Sequence, residues 1–286
     1  MLRIALPNKG RLADETRELL ADAGLDLRFR GARALSASLG GAYEAIFVRA
    51  QDIPEFVSDG AADAGVTGWD LVREAERPLD SVLDLEFGRC RLVVAAKEDS
   101  PVTTVAEIAD GQRVATVFPN VTRAFFRDAG RVIELVPVSG SVEIAPHLGI
   151  ADIVVDLTET GSTLRVNGLR EIGTILESTA RFVTAAAARD TGKAADLDDL
   201  VTALQSVIAA RDKRYLMANV PRARLDEVMA LLPGISGPTV VDVLNGGDLV
   251  AVHAVCPAAG LDRTIKQLRL LGGTGILVTR IERLLP

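Results

Sequence analysis

Histidine and cysteine are scarce in this chain, which has only two of each among 286 residues. Cys90 and Cys256 lie far apart in sequence, and neither they nor His147 and His253 show a pattern typical of a metal site or a disulfide framework. We therefore expect the cysteines to be buried free thiols in a reducing cytosol and the histidines to have packing roles.

Aromatic residues are also few, at 4%, so the cores must be built mainly from Ala, Val, Leu and Ile. The formal net charge of −7 argues against a general nucleic-acid binder. The N-terminal stretch has no charged-then-apolar export signal, and its apolar run from Ile4 to Leu6 is too short to span a membrane. We expect a soluble cytoplasmic protein.

Apolar, strand-like runs alternate with helical periodicity over most of the chain. This alternation predicts an α/β fold with largely parallel sheets. One series of strands and helices ends near Arg89 and a second begins at Arg91, which predicts a two-lobed body with a cleft between the lobes. The predicted first lobe is 1–89 with 180–210, because later strands carry the chain back, and the second lobe is 90–179.

The remaining residues, 211–286, have a regular order of their own. Predicted strands and helices follow one another as β-α-β-β-α-β, with a hairpin turn at Asn245-Gly246-Gly247-Asp248. This order is the ferredoxin-like arrangement. By fold analogy alone, we expect such a module to bind an effector or a partner subunit.

The most informative segment is 156–164, DLTETGSTL, which follows an apolar run interpreted as a buried strand, Ile150 to Val155. Gly161 lets the backbone turn so that N–H groups converge, and the Thr and Ser hydroxyls can donate to anionic oxygens. Asp156 suits ribose hydroxyls or water-bridged Mg²⁺ better than phosphate. The pattern favours a phosphorylated sugar, although the same residue types occur in many turns that bind nothing.

Four segments together resemble the ATP phosphoribosyltransferase family, the first enzymes of histidine biosynthesis. They are residues 3–12 (RIALPNKGRL), 62–70 (ADAGVTGWD), 142–152 (VEIAPHLGIAD) and 156–164. The resemblance extends over the whole chain in the same order. It implies a two-lobed body like that of periplasmic solute-binding proteins.

The resemblance also implies a reaction between ATP and 5-phosphoribosyl-1-pyrophosphate (PRPP). N1 of adenine would attack C1 of the ribose, and pyrophosphate would leave with Mg²⁺. Because N1 attacks through a neutral lone pair and need not lose a proton first, no general base is required. This fits a chain that has only two histidines. Catalysis would come from holding two large anions in line and stabilising the developing charge.

Site residues follow from the positions that match the family's motifs. The catalytic candidates are Lys9, Arg49 and Asp156. The candidates for binding PRPP are Glu143, Asp156, Thr158, Thr160, Gly161, Ser162 and Thr163. Those for binding ATP are Lys9, Arg11, Asp70 and Leu71. Mg²⁺ would be held through substrate phosphates, with Asp156 as a candidate ligand.

Five of the charged candidates also have a plainer interpretation. Lys9 and Arg11 fit a solvated basic turn, and Arg49 fits a surface charge after a strand. Asp70 and Glu143 fit acidic residues at helix starts, favoured by the helix dipole or by capping.

The C-terminal module makes the chain similar to the long form of the family, which needs no separate regulatory subunit. This similarity implies a homo-oligomer, from dimer to hexamer, that is inhibited by histidine. The implied histidine contacts are Asn219, Ile235, Gly237, Thr239 and Gly275. At the position of Asn219 the family pattern has an acidic residue for the histidine ammonium, so the inhibition is expected to be weaker here.

A noncatalytic small-molecule binding protein is the alternative function, since the same two-lobed body serves solute receptors. Binding of an amino acid or sugar without Mg²⁺-dependent PRPP binding would favour it.

Overall fold

The computed structural model describes residues 1–29, 35–185, 192–232, 234–244 and 247–285. The chain forms two compact units. The first consists of Met1–Ala21 and Leu25–Val201, and the second of Asp22–Gly24 and Thr202–Pro286. Within the described ranges, no helix has both the length and the apolar character needed to cross a bilayer.

The elements alternate along the chain. The strands of the first unit are β1 (Leu2–Pro7), β2 (Arg28–Phe29), β3 (Ser36–Ser38), β4 (Tyr43–Val48), β5 (Ala64–Gly68), β6 (Leu79–Asp84), β7 (Cys90–Lys97), β8 (Arg113–Thr116), β9 (Glu134–Pro137), β10 (Ile153–Thr158), β11 (Leu169–Ser178) and β12 (Ala180–Ala185). Its helices are α1 (Arg11–Asp22), α2 (Ile53–Ser58), α3 (Trp69–Ala75), α4 (Pro119–Asp128) and α5 (Ser162–Val166). The next helix, α6 (Ala194–Arg211), continues into the second unit, which has β13 (Lys213–Pro221), α7 (Leu225–Leu231), β14 (Thr239–Asp242), β15 (Leu249–Pro257), α8 (Leu261–Leu270) and β16 (Thr274–Arg280).

The first sheet has seven strands in the order β2-β3-β4-β1-β5-β12-β6. Strands β4, β1 and β5 are parallel, with Leu6 opposite Phe47 and Ala5 opposite Gly65. Nearly all of β1 and β5 is buried, as expected for parallel strands covered on both faces. The C-terminal ends of these three strands therefore lie along one edge of the sheet.

The second sheet has five strands in the order β11-β7-β10-β8-β9. Strands β10, β8 and β9 are parallel, whereas β7 runs antiparallel to both β10 and β11. One face of the sheet packs Leu92, Ile153 and Val155 against Phe126 of α4. The C-terminal ends of β10, β8 and β9 again share an edge, where segment 156–164 begins.

The second unit has one antiparallel sheet in the order β14-β15-β13-β16. With α7 and α8, it has the β-α-β-β-α-β order and the strand arrangement of a ferredoxin-like fold. Its buried core contains Leu216, Val228, Val252 and Leu268. The predicted fold class, a two-lobed α/β body with a C-terminal ferredoxin-like module, is thus confirmed.

The strand before the glycine turn differs from its prediction. β10 begins at Ile153, not Ile150, and continues through Asp156 to Thr158. Its last residues pair with β7, with Asp156 opposite Val93 and Thr158 opposite Arg91. This partner is remote in sequence and extends the strand beyond its apolar run.

Two predicted helices are only single turns. Segment 105–109 has a 3-10 turn at Val105–Glu107, and Thr104 and Glu107 form a capping box at its N-terminal end. Segment 142–148 has a 3-10 turn at Val142–Ile144, and Pro146 would lack the N–H donor that a continued helix needs. The short strands β2 and β3 and the strand β6 were not predicted. In the predicted hairpin turn, Asn245 and Gly246 lie outside the described residues, as does Ala186, the predicted end of β12.

Candidate functional site

The edge of the first sheet gathers two of the predicted basic residues. Asn8 N–H donates to the Val48 carbonyl at 2.9 Å, which extends the β1–β4 ladder to the end of both strands. Lys9 and Arg49 follow directly and are both exposed. They therefore lie at neighbouring strand ends, where open α/β sheets bind ligands.

The glycine turn joins β10 to α5 at the edge of the second sheet. Thr158 is buried, and its Oγ1 accepts a hydrogen bond from Gly161 N–H at 2.7 Å. Thr160, Ser162 and Thr163 are exposed. The structure thus separates the predicted hydroxyls into one that shapes the turn and three that face solvent. N–H groups in the first turn of α5 have no acceptor inside the helix.

Gly161 adopts the left-handed conformation, with φ of +73°. A Cβ at this position would lie 2.5 Å from Glu171 Oε1 and 3.0 Å from Arg165 Nη1. The Glu171 carboxylate is held in place by Arg91, whose guanidinium donates to both oxygens at 2.9 and 3.2 Å. Only glycine fits this turn without strain or displacement.

Asp156 and Glu143 are close enough for their charges to interact. Burial, and to a smaller extent the Glu143 carboxylate, raises the pKa of Asp156, while the Leu157 N–H lowers it. Two carboxylates at one sheet edge, one of them half-buried, form a negative site beside the glycine turn. Such a pair suits sugar hydroxyls or a hydrated cation.

Arg11 connects the edges of the two sheets. Located at the start of α1, it donates to Glu159 Oε2 in the glycine turn at 2.8 Å. The hydrogen bond from Arg11 and the charge of Glu159 raise the pKa of Arg11 above its ordinary value. Both side chains are more than half exposed, at 55% and 58%, so the pair is accessible to a competing anion.

Asp70, predicted to bind ATP, is buried at the start of α3, with 5% exposure. Its Oδ1 accepts a 2.5 Å hydrogen bond from Ser178 Oγ, and its N–H donates to the same Oγ at 3.0 Å. Burial raises the pKa of Asp70. Burial and the Asp70 charge also raise the pKa of the Cys90 thiol to about 11, so this cysteine is a neutral thiol at physiological pH.

Leu71 packs against the core of the second sheet, although α3 follows a strand of the first sheet. Helix α3 is therefore held by both sheets.

The predicted effector residues lie in two places within the second unit. Asn219 on β13 is next to Gly275 on β16, since a Cβ on Gly275 would lie 3.4 Å from Asn219 Nδ2. Thr239 begins β14 at the opposite edge of the sheet, preceded by Ile235 and Gly237. β14 and β16 are three strand spacings apart, about 14 Å. One copy of the chain therefore does not bring all five residues together.

Sequence reasoning missed three residues that shape this region: Glu159, Ser178 and Glu74. Glu159 is part of the motif, and a carboxylate in a turn that is predicted to bind an anion implies a neutralising cation. Ser178 and Glu74 have hydrogen-bond partners that are remote in sequence. Across the residues that the structure describes, no group of three or more His, Cys, Asp or Glu side chains could hold a metal by itself.

Comparison with known proteins identifies the family. The chain matches "HisG: ATP phosphoribosyltransferase" over residues 49–206 and "HisG, C-terminal domain" over residues 210–283. A relative named ATP phosphoribosyltransferase, from Gemmatimonas aurantiaca, is 66% identical over 100% of both chains.

Solved structures are similar to about three quarters of the chain. A chain of the ATP phosphoribosyl transferase (HisG:HisZ) complex from Thermotoga maritima matches with a TM-score of 0.65 and 30% identity, over 73% of this chain and 99% of that chain. The periplasmic aliphatic sulphonate binding protein SsuA from Escherichia coli matches with a TM-score of 0.45 and 18% identity, over 71% and 67% of the two chains. With a family match over more than half its length and a full-length relative, the chain belongs to the ATP phosphoribosyltransferase family of histidine biosynthesis, whose members are phosphoribosyl-transferring enzymes.

Proposed function

We propose that this enzyme transfers the phosphoribosyl group of PRPP to N1 of ATP, giving phosphoribosyl-ATP and pyrophosphate. The observation that carries the proposal is the turn at 158–163, with three exposed hydroxyls, opposite a sheet edge that carries Lys9 and Arg49. The two edges are connected by Arg11 and Glu159, so one substrate at each edge would meet the other between them. Family membership favours this transferase over a noncatalytic binding protein.

In the proposed arrangement, the turn binds the 5-phosphate and Asp156 binds the ribose hydroxyls. Thr160, Ser162 and Thr163 donate to phosphate oxygens, and Thr158 holds the turn through Gly161. The segments that bind PRPP belong to the proposed lobe 90–179. The proposed lobe 1–89 with 180–210 supplies the ATP site.

Positive charge at the first edge meets the anionic ends of both substrates. Lys9 and Arg49 stabilise the negative charge that develops on pyrophosphate as the ribose C1 bond breaks. Arg11 exchanges Glu159 for an ATP phosphate, because an exposed ion pair contributes little stability and is easily replaced. Asp70 and Leu71 hold the start of α3 where the nucleoside would contact it.

Magnesium is proposed as the cofactor, held chiefly through the phosphates of PRPP. The Asp156 and Glu143 carboxylates are oxygen ligands of the type that Mg²⁺ takes, and their mutual repulsion would be relieved by a cation. When bound, Mg²⁺ would neutralise the leaving pyrophosphate.

Regulation by histidine is proposed for the C-terminal module, residues 211–286, without a separate regulatory subunit. The Thermotoga maritima chain, which this chain covers almost completely, is part of a HisG:HisZ complex, whereas this chain has its own HisG C-terminal domain. Because Thr239 lies on one edge strand and Gly275, beside Asn219, lies on the other, a site that uses all of them needs a second copy. A homo-oligomer, up to a hexamer and located in the cytoplasm, would supply it.

Assay of the purified protein with ATP, PRPP and Mg²⁺ tests the proposal, with pyrophosphatase added to pull the reaction forward. We expect phosphoribosyl-ATP, and less of it when histidine is added. Folded protein that forms no phosphoribosyl-ATP would refute the proposed reaction.

A further inference from the structure

Glu74 on α3 makes a set of hydrogen bonds that spans the two sheets of the first unit. Its carboxylate accepts from Asn120 N–H at 3.0 and 3.1 Å and from Val121 N–H at 3.0 Å. Its backbone carbonyl accepts from Asn120 Nδ2 at 3.0 Å. Helix α3 follows a strand of the first sheet, whereas α4, which holds Asn120, follows a strand of the second.

These bonds supply the N-terminal cap that α4 lacks in its own sequence. The N-cap residue Phe118 makes no side-chain hydrogen bond, and the first turn of α4 contains no acidic residue. Hydrogen bonds from two N–H groups at a helix start to a carboxylate are charge-assisted, and the helix dipole favours the negative charge there. Glu74, on the helix that follows a strand of the first sheet, thus caps the N-terminus of the helix that follows a strand of the second sheet.

This contact joins two helices that begin at the edges where we propose that the two substrates bind. Helix α3 begins at Trp69, next to Asp70, on the edge that carries the proposed ATP residues. Helix α4 begins at the edge shared by β8 and β10, where the glycine turn starts. Glu74 lies in the last turn of α3, so its bonds hold the C-terminal end of α3 against the start of α4 and thereby connect the helices that begin at the two edges. Arg11 with Glu159 also spans the two edges, but that pair is exposed and substrates can replace it.

We propose that Glu74 is a positioning residue for phosphoribosyl transfer, which holds the PRPP edge at the correct distance from the ATP edge. The inference rests on the proposed function. Each substrate would bind on its own edge without Glu74, but the adenine nitrogen and ribose C1 would no longer be held in line. A misplacement of about 1 Å can slow a reaction about 100-fold.

Glu74→Gln tests this proposal, with Glu76→Gln as the matched control. The amide keeps one acceptor oxygen but turns an NH₂ group toward the N–H groups of α4 and removes the charge. Glu76 lies two residues along the chain, is exposed and has no hydrogen bond to α4 in the described residues. The measurements are kcat, the separate dissociation constants of ATP and Mg²⁺-PRPP, and amide hydrogen exchange at Asn120 and Val121.

For Glu74→Gln we expect a kcat about 10- to 100-fold lower, each dissociation constant within about 3-fold of wild type, and faster exchange at Asn120 and Val121. Glu74→Asp should restore part of kcat, and Glu76→Gln should match wild type. A folded Glu74→Gln enzyme with wild-type kcat would reduce Glu74 to a helix cap and overturn the proposal. So would a rate loss matched by equal loss of affinity for one substrate.

Two further measurements keep the test independent. If Glu74→Gln does not fold, Asn120→Ala removes the side-chain bond to the Glu74 carbonyl and the bond from Arg123 to Asn120 Oδ1, and Arg123→Ala, which removes only the latter, is its control. A several-fold loss of kcat with unchanged dissociation constants would support the proposal, and an unchanged kcat would overturn it. If wild-type protein forms no phosphoribosyl-ATP, the proposed reaction fails, whereas a loss confined to the Glu74 and Asn120 variants concerns positioning alone.

Discussion

Replacing Gly161 by alanine should weaken PRPP binding without unfolding the protein. A non-glycine residue in the left-handed conformation costs about 1–2 kcal/mol. The new Cβ would also press on Glu171 Oε1, which cannot move freely because Arg91 holds both carboxylate oxygens. In the free protein the turn can relax to escape this strain, but phosphate binding requires the original turn. The strain therefore opposes binding.

The expected loss follows from that strain. At about 1.4 kcal/mol for each tenfold, 1–2 kcal/mol corresponds to a dissociation constant of Mg²⁺-PRPP about 5- to 30-fold higher, with the contact at Glu171 adding to it. Isothermal titration calorimetry measures this constant directly. Thermal unfolding, measured in parallel, reports any part of the strain that remains in the free protein.

Gly168→Ala provides the matched control. Gly168 is also left-handed, with φ of +61°, but the nearest atom to its Cβ would be His147 Cε1 at 3.9 Å. It lies beyond the end of α5, away from the proposed phosphate site. We expect lower stability but nearly unchanged PRPP affinity. Equal affinity losses for the two variants, or no loss for Gly161→Ala, would refute the reasoning.

Three other predictions test the charges of the site. Because burial raises the pKa of Asp70, the stability that this group contributes is present below its unfolded pKa of about 3.9 and is lost as pH rises through the higher folded pKa. Asp70→Asn keeps an acceptor for Ser178 but does not titrate. The free energy of unfolding, measured with denaturant, should therefore lose the pH dependence that Asp70 contributes; an unchanged pH profile would contradict this prediction. Glu159→Gln should leave the free energy of unfolding within about 1 kcal/mol and bind ATP a few-fold more tightly, because it removes the closer carboxylate partner of Arg11 and leaves only the 3.7 Å contact with Glu15; calorimetry that finds weaker ATP binding would count against the exchange. Asp156→Asn should raise the dissociation constant of Mg²⁺-PRPP at least about tenfold while thermal stability is kept or increased, since burial disfavours the ionised carboxylate; unchanged affinity would remove Asp156 from the site.

Local patterns predicted the elements that lead into the site. Strand β1 and helix α1 were expected from an apolar run followed by a basic glycine turn and a helical period, and the structure has both within one or two residues. Gly161 was expected in a turn, and its positive φ fits the glycine there. These features depend on neighbours in sequence, which periodicity and turn chemistry report.

Features that depend on remote partners were not predictable. β10 continues through Asp156 because β7 pairs with it, and no local pattern encodes that pairing. Glu74 caps a helix 46 residues away, and Ser178 bonds Asp70 from 108 residues away. Arg11 was expected to face a substrate, but in the structure it pairs with Glu159 of the other predicted lobe and, at a longer distance, with Glu15. Only the folded arrangement shows which charges are neutralised within the protein.

A structure of the enzyme with PRPP and Mg²⁺ tests the central claim most directly. The account predicts the 5-phosphate within hydrogen-bond distance of the hydroxyls of Thr160, Ser162 and Thr163, with the ribose hydroxyls at Asp156. PRPP bound in an ordered position elsewhere, with residues 158–163 making no contact to it, would contradict the account.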